Sequence, residues 1–305
     1  MSNDTSRILI VHAGALGDTI LLWPLLRSLS NVQFVTRRSF AELTQHYIPH
    51  VKCHNANTPE WTKLFSYELT DEDIRSLQNS TQHIDHLITF VSNPNDTWDT
   101  NAKQVWPTTC TQYHYLFTKP TSLDSDHLTQ QWIATLASND LNLSLTLPQV
   151  LHNNTGPILI HPGAGSTSKC WGYPQFETLI TTLQHLNINL SNIQIILGEA
   201  EHHYAPDYCL SWAAKYTVIQ PQSPLDLAQT IATSKLFIGN DSGPSHLAAA
   251  IGIPTLTLFG PTSPHIWQPI GPKIHTLYPD KPCPMNWLQP ESVLETLQDL
   301  MHEKT

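Results

Sequence analysis

The stretch that most constrains the fold of this chain is 235–261, which reads KLFIGNDSGPSHLAAAIGIPTLTLFGP. An apolar run opens it, a polar turn at 240–244 follows, and an alanine-rich segment at 245–251 leads into a second apolar run at 255–259. Short runs that are apolar throughout are typical of parallel strands buried on both faces. Alanine favours a helix, and proline suits its first turn. The stretch therefore predicts strand, turn, helix and strand, the repeating unit of a doubly wound α/β sheet.

The turn at 240–244 is also a candidate ligand site, because it lies between the carboxyl end of a strand and the amino end of a helix. Backbone N–H groups and the helix dipole favour an anion there. Asp241 does not suit a phosphate, but its carboxylate could bind sugar hydroxyls beside one. The structural alternative is that Asp241 and Ser242 cap the helix while Gly243 makes the turn. The spacing leaves both roles open.

A similar alternation covers most of the remaining sequence. The chain opens with a strand at 7–12, a small-residue turn at 13–18 and a helix at 19–29, the usual beginning of a doubly wound domain. A second alternation begins after a polar, proline-containing linker at 139–157. Other strands are predicted at 32–36, 51–54, 87–91, 157–161, 192–197, 216–219 and 273–278, and other helices at 39–47, 126–138, 174–186, after 199, 224–234 and 290–302.

This pattern predicts two consecutive doubly wound α/β domains, 1–150 and 151–305, with a cleft between them. A chain of 305 residues is long enough for two hydrophobic cores. Segment 92–120 shows no recognisable pattern and is left unassigned. The first turn lacks the G-x-G-x-x-G fingerprint of dinucleotide-binding domains, so we expect no nicotinamide cofactor.

Composition excludes several classes of protein. The net charge is −10 at pH 7, and no basic stripe could neutralise a nucleic-acid backbone. No run of about 20 apolar residues could span a membrane, and the amino terminus leads straight into a strand, so we expect neither a spanning helix nor a signal peptide. The 17 histidines show no metal-ligand spacing. The 5 cysteines form no C-x-x-C motif, which favours reduced thiols in a cytoplasmic protein.

The loop 161–169, HPGAGSTSK, is the best candidate for binding phosphate. Its small residues let the backbone approach a ligand closely, the hydroxyls of Ser166 and Thr167 can bind phosphate oxygens, and Lys169 supplies a positive charge. Only 6 lysines or arginines lie within 151–305, so a lysine in this loop is notable. The alternative is a flexible loop with a surface lysine, and the sequence favours phosphate binding.

Two carboxylates add to the candidate site. Asp18 precedes the first predicted helix, where it could cap that helix or take a proton from an acceptor hydroxyl. Glu201 follows the strand at 192–197, where it could bind a ribose or stabilise the first turn of a helix. Two acidic D-x-D patterns, at 71–73 and 124–126, precede helical sequence, and helix capping explains them better than a site for a metal and a diphosphate.

Four motifs occur in the order and spacing of a known family: GALGD at 14–18, HPGAGSTSKCW at 161–171, GEAE at 198–201 and NDSGPSHLAAAIGIPTLTLFGPT at 240–262. Through them most of the chain resembles glycosyltransferase family nine, the heptosyltransferases. The resemblance implies the GT-B fold, in which two Rossmann-like doubly wound domains face each other across a cleft. It also implies an inverting transfer of L-glycero-D-manno-heptose from ADP to the lipopolysaccharide core, with no cofactor and no bound metal.

The resemblance assigns roles to individual residues as well. Asp18 would be the general base on the acceptor hydroxyl, in an acceptor-binding domain 1–150. Domain 151–305 would bind the nucleotide-sugar donor and end in the helix 290–302. The donor-binding residues would be Ser166, Thr167 and Lys169 for the diphosphate, Glu201 for the ribose, Asp241 for the heptose hydroxyls, and Ser242, Gly243 and His246 near the diphosphate. Such an enzyme would be cytoplasmic, in peripheral contact with the inner membrane through its acceptor.

The acceptor side departs from this expectation in its charge. Residues 1–150 hold 9 lysines or arginines against 14 aspartates or glutamates, whereas a phosphorylated, lipid-linked acceptor would favour a basic surface. A different nucleotide-sugar donor or a non-lipopolysaccharide acceptor is therefore the second hypothesis. An epimerase or hydrolase of the same fold and a non-catalytic binding protein are further alternatives. Asp18, Lys169 and Asp241 together argue against the binding protein, because a binder needs no base.

Overall fold

The structure is a computed structural model that describes residues 6–81, 83–108, 110–120, 126–139, 141–151, 153, 155–185, 189 and 192–302. It divides into two compact units, one made of Met1–Ser122 and Leu128–Thr146 and the other of Leu123–His127 and Leu147–Thr305. Each unit contains one parallel β-sheet with helices between its strands, so the predicted α/β class is confirmed. The domain limits at residue 150 and the roles of the two domains stay predictions.

The sheet of the first unit has five parallel strands. β1 (Ile8–Val11) is buried at every position and pairs with β2 (Val32–Thr36) on one side and β4 (His86–Thr89) on the other. β3 (Lys52–Asn55) and β5 (Gln112–Tyr115) form the edges and give the order β3-β2-β1-β4-β5. The strand order reverses between β1 and β4, and doubly wound sheets bind ligands at the carboxyl ends of strands beside such a reversal.

The helices of the first unit are α1 (Leu16–Leu21), α2 (Trp23–Ser28), α3 (Arg38–Tyr47), α4 (Pro59–Thr62), α5 (Asp71–Thr81), α6 (Thr97–Val105) and α7 (Leu128–Ala137). The prediction of a single helix at 19–29 is wrong. Two helices replace it, because Pro24 has no N–H to donate to the carbonyl oxygen of Ile20. The first of the two already begins at Leu16, within the predicted turn.

Segment 92–120, which the sequence left unassigned, contains α6 and β5. Asp96 caps α6, since its side chain accepts a hydrogen bond from the backbone N–H of Asp99. β5 was missed because it is a partly exposed edge strand whose QYHY sequence lacks an apolar run. The predicted linker at 139–157 agrees with the structure, because its described residues belong to no helix or strand.

The sheet of the second unit has six parallel strands in the order β11-β10-β9-β6-β7-β8. Its central strands, β6 (Ile158–His161) and β9 (Leu236–Asn240), are buried at every position and pair with each other. The outer strands are β7 (Ile193–Ile196), β8 (Thr217–Ile219), β10 (Thr255–Leu258) and β11 (Ile274–Leu277). This is the strand order of a Rossmann sheet, and it reverses between β6 and β9.

The helices of the second unit are α8 (Tyr173–His185), α9 (Glu199–Tyr204), α10 (Pro206–Lys215), α11 (Pro224–Ala232), α12 (Gly243–Ala250), α13 (Pro264–Trp267) and α14 (Pro290–His302). The predicted terminal helix is thus confirmed as α14. The helix predicted after residue 199 is divided at Ala205, because Pro206 begins a new helix. In the described part of the chain, no helix has the length and apolar character needed to cross a bilayer.

Candidate functional site

The strand reversal of the second unit brings two of the predicted motifs together. The loop 162–172 leaves β6, while the turn formed by Asp241 and Ser242 leaves β9, and these two strands are hydrogen-bonded neighbours. Their carboxyl ends therefore lie at one edge of the sheet, where doubly wound folds bind ligands. The loop and the turn form a single candidate site.

An ion pair joins the two motifs. Lys169 Nζ lies 2.7 Å from Asp241 Oδ2, and Thr262 donates its hydroxyl to the same oxygen, also at 2.7 Å. His246 Nε2 lies 3.8 Å from the other oxygen, Oδ1. Burial raises the pKa of Asp241, but the nearby imidazole of His246 and the charge of Lys169 outweigh this effect and hold that pKa at about 2. Asp241 is therefore a buried, charged carboxylate at neutral pH, whereas the side chain of Lys169 is 31% exposed and accessible to a ligand.

Helix α12 begins at this edge without a side-chain cap. Ser242 occupies the N-cap position but makes no cap hydrogen bond, and its hydroxyl lies 3.4 Å from that of Ser245 instead. By contrast, Ser223 does cap α11. The simple capping role that the sequence allowed for Asp241 and Ser242 is therefore wrong. Gly243 and the N–H groups of the first turn thus lie at a helix amino terminus without a side-chain cap, and an anion is the favoured ligand of such a terminus.

The loop presents its hydroxyls at the surface beside Lys169. The segment Thr167–Lys169 forms one turn of 3-10 helix, and Ser166 caps it by accepting a hydrogen bond from the N–H of Ser168. Ser166 and Thr167 are both exposed. Nothing lies within 4 Å of the position that a Cβ on Gly165 would take. Open backbone, two hydroxyls and a cation thus occur together, as a phosphate loop requires.

Glu201 is buried beneath the start of the same loop. Its Oε2 accepts a hydrogen bond from the N–H of Gly198 at 2.6 Å, and its Oε1 lies 3.8 Å from His161 Nε2. A Cβ on Gly163 would overlap Oε1, so this position needs glycine unless Glu201 moves. Burial lowers the pKa of His161, against the opposing charge of Glu201. Glu201 stabilises the first turn of α9 and supports the loop, while its contact with a ribose stays a prediction.

A pocket of about 290 Å³ opens at the same edge of the second unit. It lies at the carboxyl ends of β6 and β7 and at the amino ends of α11 and α12. The lining residues, which are mostly apolar or proline, are His161, Ile196, Gly198, Pro221, Gln222, Ser223, Pro224, Leu227 and Pro244. A pocket of this kind suits a flat, largely apolar ring.

Asp18 lies at the corresponding edge of the first unit, in the first turn of α1. Ala15 occupies the N-cap position, so the capping alternative for Asp18 is wrong. Asp18 Oδ2 lies 3.3 Å from the position of a Cβ on Gly14, and Nε2 of His12 lies 2.8 Å from the same position. Burial, and to a lesser extent the charge of Arg37, lowers the pKa of His12 to about 4. A carboxylate and a neutral imidazole therefore flank Gly14.

The sequence did not point to two residues of the candidate site in the second unit. One is Thr262, which holds Asp241 as described above. The other is Asn240, whose Nδ2 donates to the carbonyl oxygens of Pro162 at 2.7 Å and Gly163 at 3.2 Å. Its Oδ1 accepts a hydrogen bond from the N–H of Trp171 at 3.0 Å. Both residues lie within the predicted motif at 240–262, but no spacing rule distinguishes them from their neighbours.

The acidic pattern at 71–73 stabilises the start of a helix, as predicted. Asp73 accepts hydrogen bonds from the backbone N–H and the hydroxyl of Thr70 at the start of α5. Of the second pattern, residues 124 and 125 lie outside the described residues. Among the described residues, no three histidine, cysteine, aspartate or glutamate side chains are grouped so that they could hold a metal ion.

Known proteins resemble both the sequence and the fold. Residues 90–293 match the family model of glycosyltransferase family 9 (heptosyltransferase). Lipopolysaccharide heptosyltransferase 3 of Escherichia coli strain K12 is 31% identical over 121 residues, which are 37% of this chain and 33% of that protein. The chain is thus aligned with about a third of the length of this relative.

Two solved structures extend the likeness to the whole chain. A glycosyl transferase family 9 protein from Veillonella parvula superposes with a TM-score of 0.73 at 18% identity, covering 100% of this chain and 99% of that one. Escherichia coli heptosyltransferase WaaC, solved with ADP, gives a TM-score of 0.68 at 17% identity, covering 96% of this chain and 99% of that one. At these identities the likeness shows the fold, and the fold is GT-B, as predicted.

Proposed function

This chain belongs to glycosyltransferase family 9, the heptosyltransferases, and from that premise we propose that it transfers a heptose from ADP-L-glycero-D-manno-heptose to a hydroxyl of a saccharide acceptor, the lipopolysaccharide core, with inversion at the anomeric carbon. The observation that carries the proposal is the contact between Lys169 and Asp241 at the strand reversal of the second unit. A cation for a diphosphate and a carboxylate for sugar hydroxyls lie side by side there, and a nucleotide-sugar needs both.

The donor diphosphate would bind to Lys169, to the hydroxyls of Ser166 and Thr167, and to the uncapped amino terminus of α12. When the bond between the anomeric carbon and the diphosphate breaks, its electron pair stays on the phosphate oxygen. The lysine and the helix terminus would stabilise this growing negative charge in the transition state. Asp241 would accept hydrogen bonds from the heptose, because its partners keep it charged at neutral pH.

The nucleoside would occupy the rest of the same edge. The pocket of about 290 Å³ would take the adenine, whose flat ring suits walls of proline, leucine and isoleucine. The ribose would then lie near Glu201, which accepts one backbone hydrogen bond and retains lone pairs for a hydroxyl. The crystal structure of the related WaaC contains ADP, which supports an adenine nucleotide as the common ligand.

Asp18 would act on the acceptor. Its carboxylate would take the proton of the acceptor hydroxyl while that oxygen bonds to the anomeric carbon and the diphosphate leaves. The products are the glycosylated acceptor, ADP and a proton held by Asp18. With a lipopolysaccharide acceptor, we place this reaction in the cytoplasm, at the cytoplasmic face of the inner membrane, with peripheral contact made through the acceptor.

A different donor or acceptor is the second candidate, and features of the amino-terminal half of the chain favour a change of acceptor. Residues 1–150 carry 9 lysines or arginines against 14 acidic residues, so a phosphorylated acceptor would meet net repulsion. The side chains of Phe65 and Tyr67 are 59% and 97% exposed in the first unit. The apolar faces of these aromatic rings suit an uncharged saccharide better than a phosphate.

Titration calorimetry tests the donor half of the proposal. The purified protein is titrated with ADP-heptose, ADP-glucose, UDP-glucose and GDP-mannose, each with Mg²⁺ and with EDTA. Selective binding of ADP-heptose that EDTA does not change is the expected result. Preference for another nucleotide would move the function to the second candidate, and failure to bind any of the four would refute the assignment of the loop at Lys169 to phosphate.

A further inference from the structure

We propose that Asn240 is the positioning residue of the donor site, because its amide holds both ends of the loop 162–171 against β9 and thereby sets the place of Lys169. The inference rests on the proposed function in one respect, since it takes Lys169 to be the group that binds the donor diphosphate. The amide of Asn240 contacts protein backbone, and we infer that it affects the ligand indirectly, by holding the loop that carries Lys169.

The amide of Asn240 is fully used within the protein. The side chain is wholly buried. Its Nδ2 donates hydrogen bonds to the carbonyl oxygens of Pro162 and Gly163, and its Oδ1 accepts a hydrogen bond from the N–H of Trp171. These partners determine the orientation of the amide. If the amide were reversed, its N–H groups would face the N–H of Trp171, and its oxygen would face the carbonyl oxygens of Pro162 and Gly163. An aspartate of the same shape would likewise oppose two carbonyl oxygens, so the position requires an amide.

The three bonds act at the two ends of the loop. Pro162 and Gly163 are the first loop residues after β6, and Trp171 is the second residue after Lys169. Asn240 itself is the last residue of β9, and the next residue is Asp241, the partner of Lys169. One side chain therefore fixes where the loop leaves the sheet, where it returns, and how far Lys169 lies from the turn.

Other contacts of the loop do not replace this connection. Trp171 Nε1 donates to the carbonyl oxygen of Leu288 at 3.0 Å, which holds the end of the loop to the core. Glu201 supports Gly163 from below, as described above. Neither contact reaches β9. The pairing of β6 with β9 ends at His161 and Gly239, so it holds the chain only up to the start of the loop. Beyond that point, without Asn240, the ion pair between Lys169 and Asp241 is the side-chain contact left among the described residues to hold the loop beside the end of β9, and a bound diphosphate competes for that lysine.

Asn101 provides a matched control in the first unit. It is 2% exposed, and its Nδ2 donates to two loop carbonyl oxygens, those of Leu64 at 3.0 Å and Ser66 at 2.7 Å. Replacement by alanine at either asparagine removes a buried amide and leaves two carbonyl oxygens without that donor. Only the replacement of Asn240 should affect the donor site.

A double-mutant cycle measured by titration with ADP tests the proposal. The variants are Asn240→Ala, Lys169→Ala and their combination, with Asn101→Ala alone and combined with Lys169→Ala as the control series. We expect Lys169→Ala to weaken ADP binding about tenfold or more, the effect of losing hydrogen bonds to a charged group. Asn240→Ala should weaken it to a similar extent, because the displaced lysine loses the same bonds. The combined variant should bind ADP within about twofold of Lys169→Ala, because Asn240 acts through the lysine. Asn101→Ala should leave ADP affinity unchanged in both backgrounds.

The outcomes separate this inference from the proposed function. If the effects of Asn240→Ala and Lys169→Ala multiply to about a hundredfold, Asn240 acts independently of the lysine and the inference is wrong, although the donor site stands. If Lys169→Ala binds ADP like the natural protein, the donor site itself is wrong, and the inference fails with it. Should Asn240→Ala not fold, Asn240→Ser enters the same cycle, because its hydroxyl can still serve one carbonyl oxygen.

Discussion

Replacement of Gly163 by alanine tests whether Glu201 supports the loop from below. The added methyl group would overlap Glu201 Oε1, whereas two residues further along the loop, a Cβ on Gly165 would meet nothing within 4 Å. Glu201 is held in place, since it is 5% exposed and its other oxygen accepts the N–H of Gly198 at 2.6 Å. Overpacking typically costs about 1–3 kcal/mol, and a lost hydrogen bond to a charged group costs about 1.5–3 kcal/mol. If Glu201 moves aside, the overlap with the new methyl group is relieved but the hydrogen bond to Gly198 is lost. The two costs are therefore alternatives, and we expect the free energy of unfolding of Gly163→Ala to fall by about 2–3 kcal/mol.

Thermal unfolding and titration with ADP measure the result. For a unit of this size, such a loss should lower the Tm of Gly163→Ala by about 4–12 °C. ADP affinity should fall in the same variant if Glu201 also binds the ribose. Gly165→Ala should match the natural protein in Tm, because its Cβ would meet no protein atom within 4 Å. Equal Tm values for the two alanine variants would refute the reasoning, because the buried carboxylate would then be free to move aside.

Three further substitutions address single groups of the two units. Asp18→Asn should reduce transfer by about 10²–10⁴-fold while ADP affinity is unchanged, and weaker ADP binding in that variant would contradict a role confined to the acceptor. Thr262→Val keeps the shape of the side chain but removes its 2.7 Å bond to Asp241, so urea unfolding should show a loss of about 1.5–3 kcal/mol that Thr262→Ser largely restores. The pKa of Asp241 lies at about 2 in the folded protein, below its ordinary value of 3.8, so its pairing stabilises the fold above pH 4 and this contribution is lost as the pH falls toward 2. The destabilisation caused by Asp241→Asn should shrink over the same range, and a difference in urea stability that stays constant from pH 7 to pH 2 would argue against a charged Asp241.

The sequence predicts the central strands and the proximity of the motifs at 161–171 and 240–262 well, because both follow from local patterns. β1, β6 and β9 are short runs buried at every position, and such runs are typical of parallel strands covered on both faces. Once the strands are parallel and alternate with helices, their carboxyl ends must lie at one edge of each sheet. The motifs at 161–171 and 240–262 follow two of those strands, so their proximity was predictable.

The features that the sequence missed depend on partners distant in the chain. Asn240 was expected in a turn, but it is the last residue of β9, and its amide bonds residues 78, 77 and 69 positions away. The edge strand β5 owes its existence to pairing with β4 rather than to an apolar run. The break between α1 and α2 could have been predicted, since Pro24 interrupts the helical spacing, but the apolar periodicity on either side concealed it.

In the proposed reaction Lys169 interacts with both Asp241 and the donor diphosphate. The effect of Lys169→Ala on ADP binding is therefore not a measure of the contact with phosphate alone. In the free protein its ammonium neutralises Asp241, a carboxylate that is 5% exposed. Lys169→Ala would leave that carboxylate buried without its cation, and breaking a buried ion pair from one side typically costs about 3–5 kcal/mol. Weaker ADP binding in this variant would therefore combine a lost attraction for phosphate with a new repulsion from Asp241.

The double variant Lys169→Ala/Asp241→Asn removes the repulsion. Because ADP carries no heptose, the second substitution removes no sugar contact from the measurement. We expect the double variant to bind ADP more tightly than Lys169→Ala but less tightly than the natural protein. If instead it binds no better than Lys169→Ala, the carboxylate does not repel the diphosphate, and the whole loss belongs to the contact between lysine and phosphate.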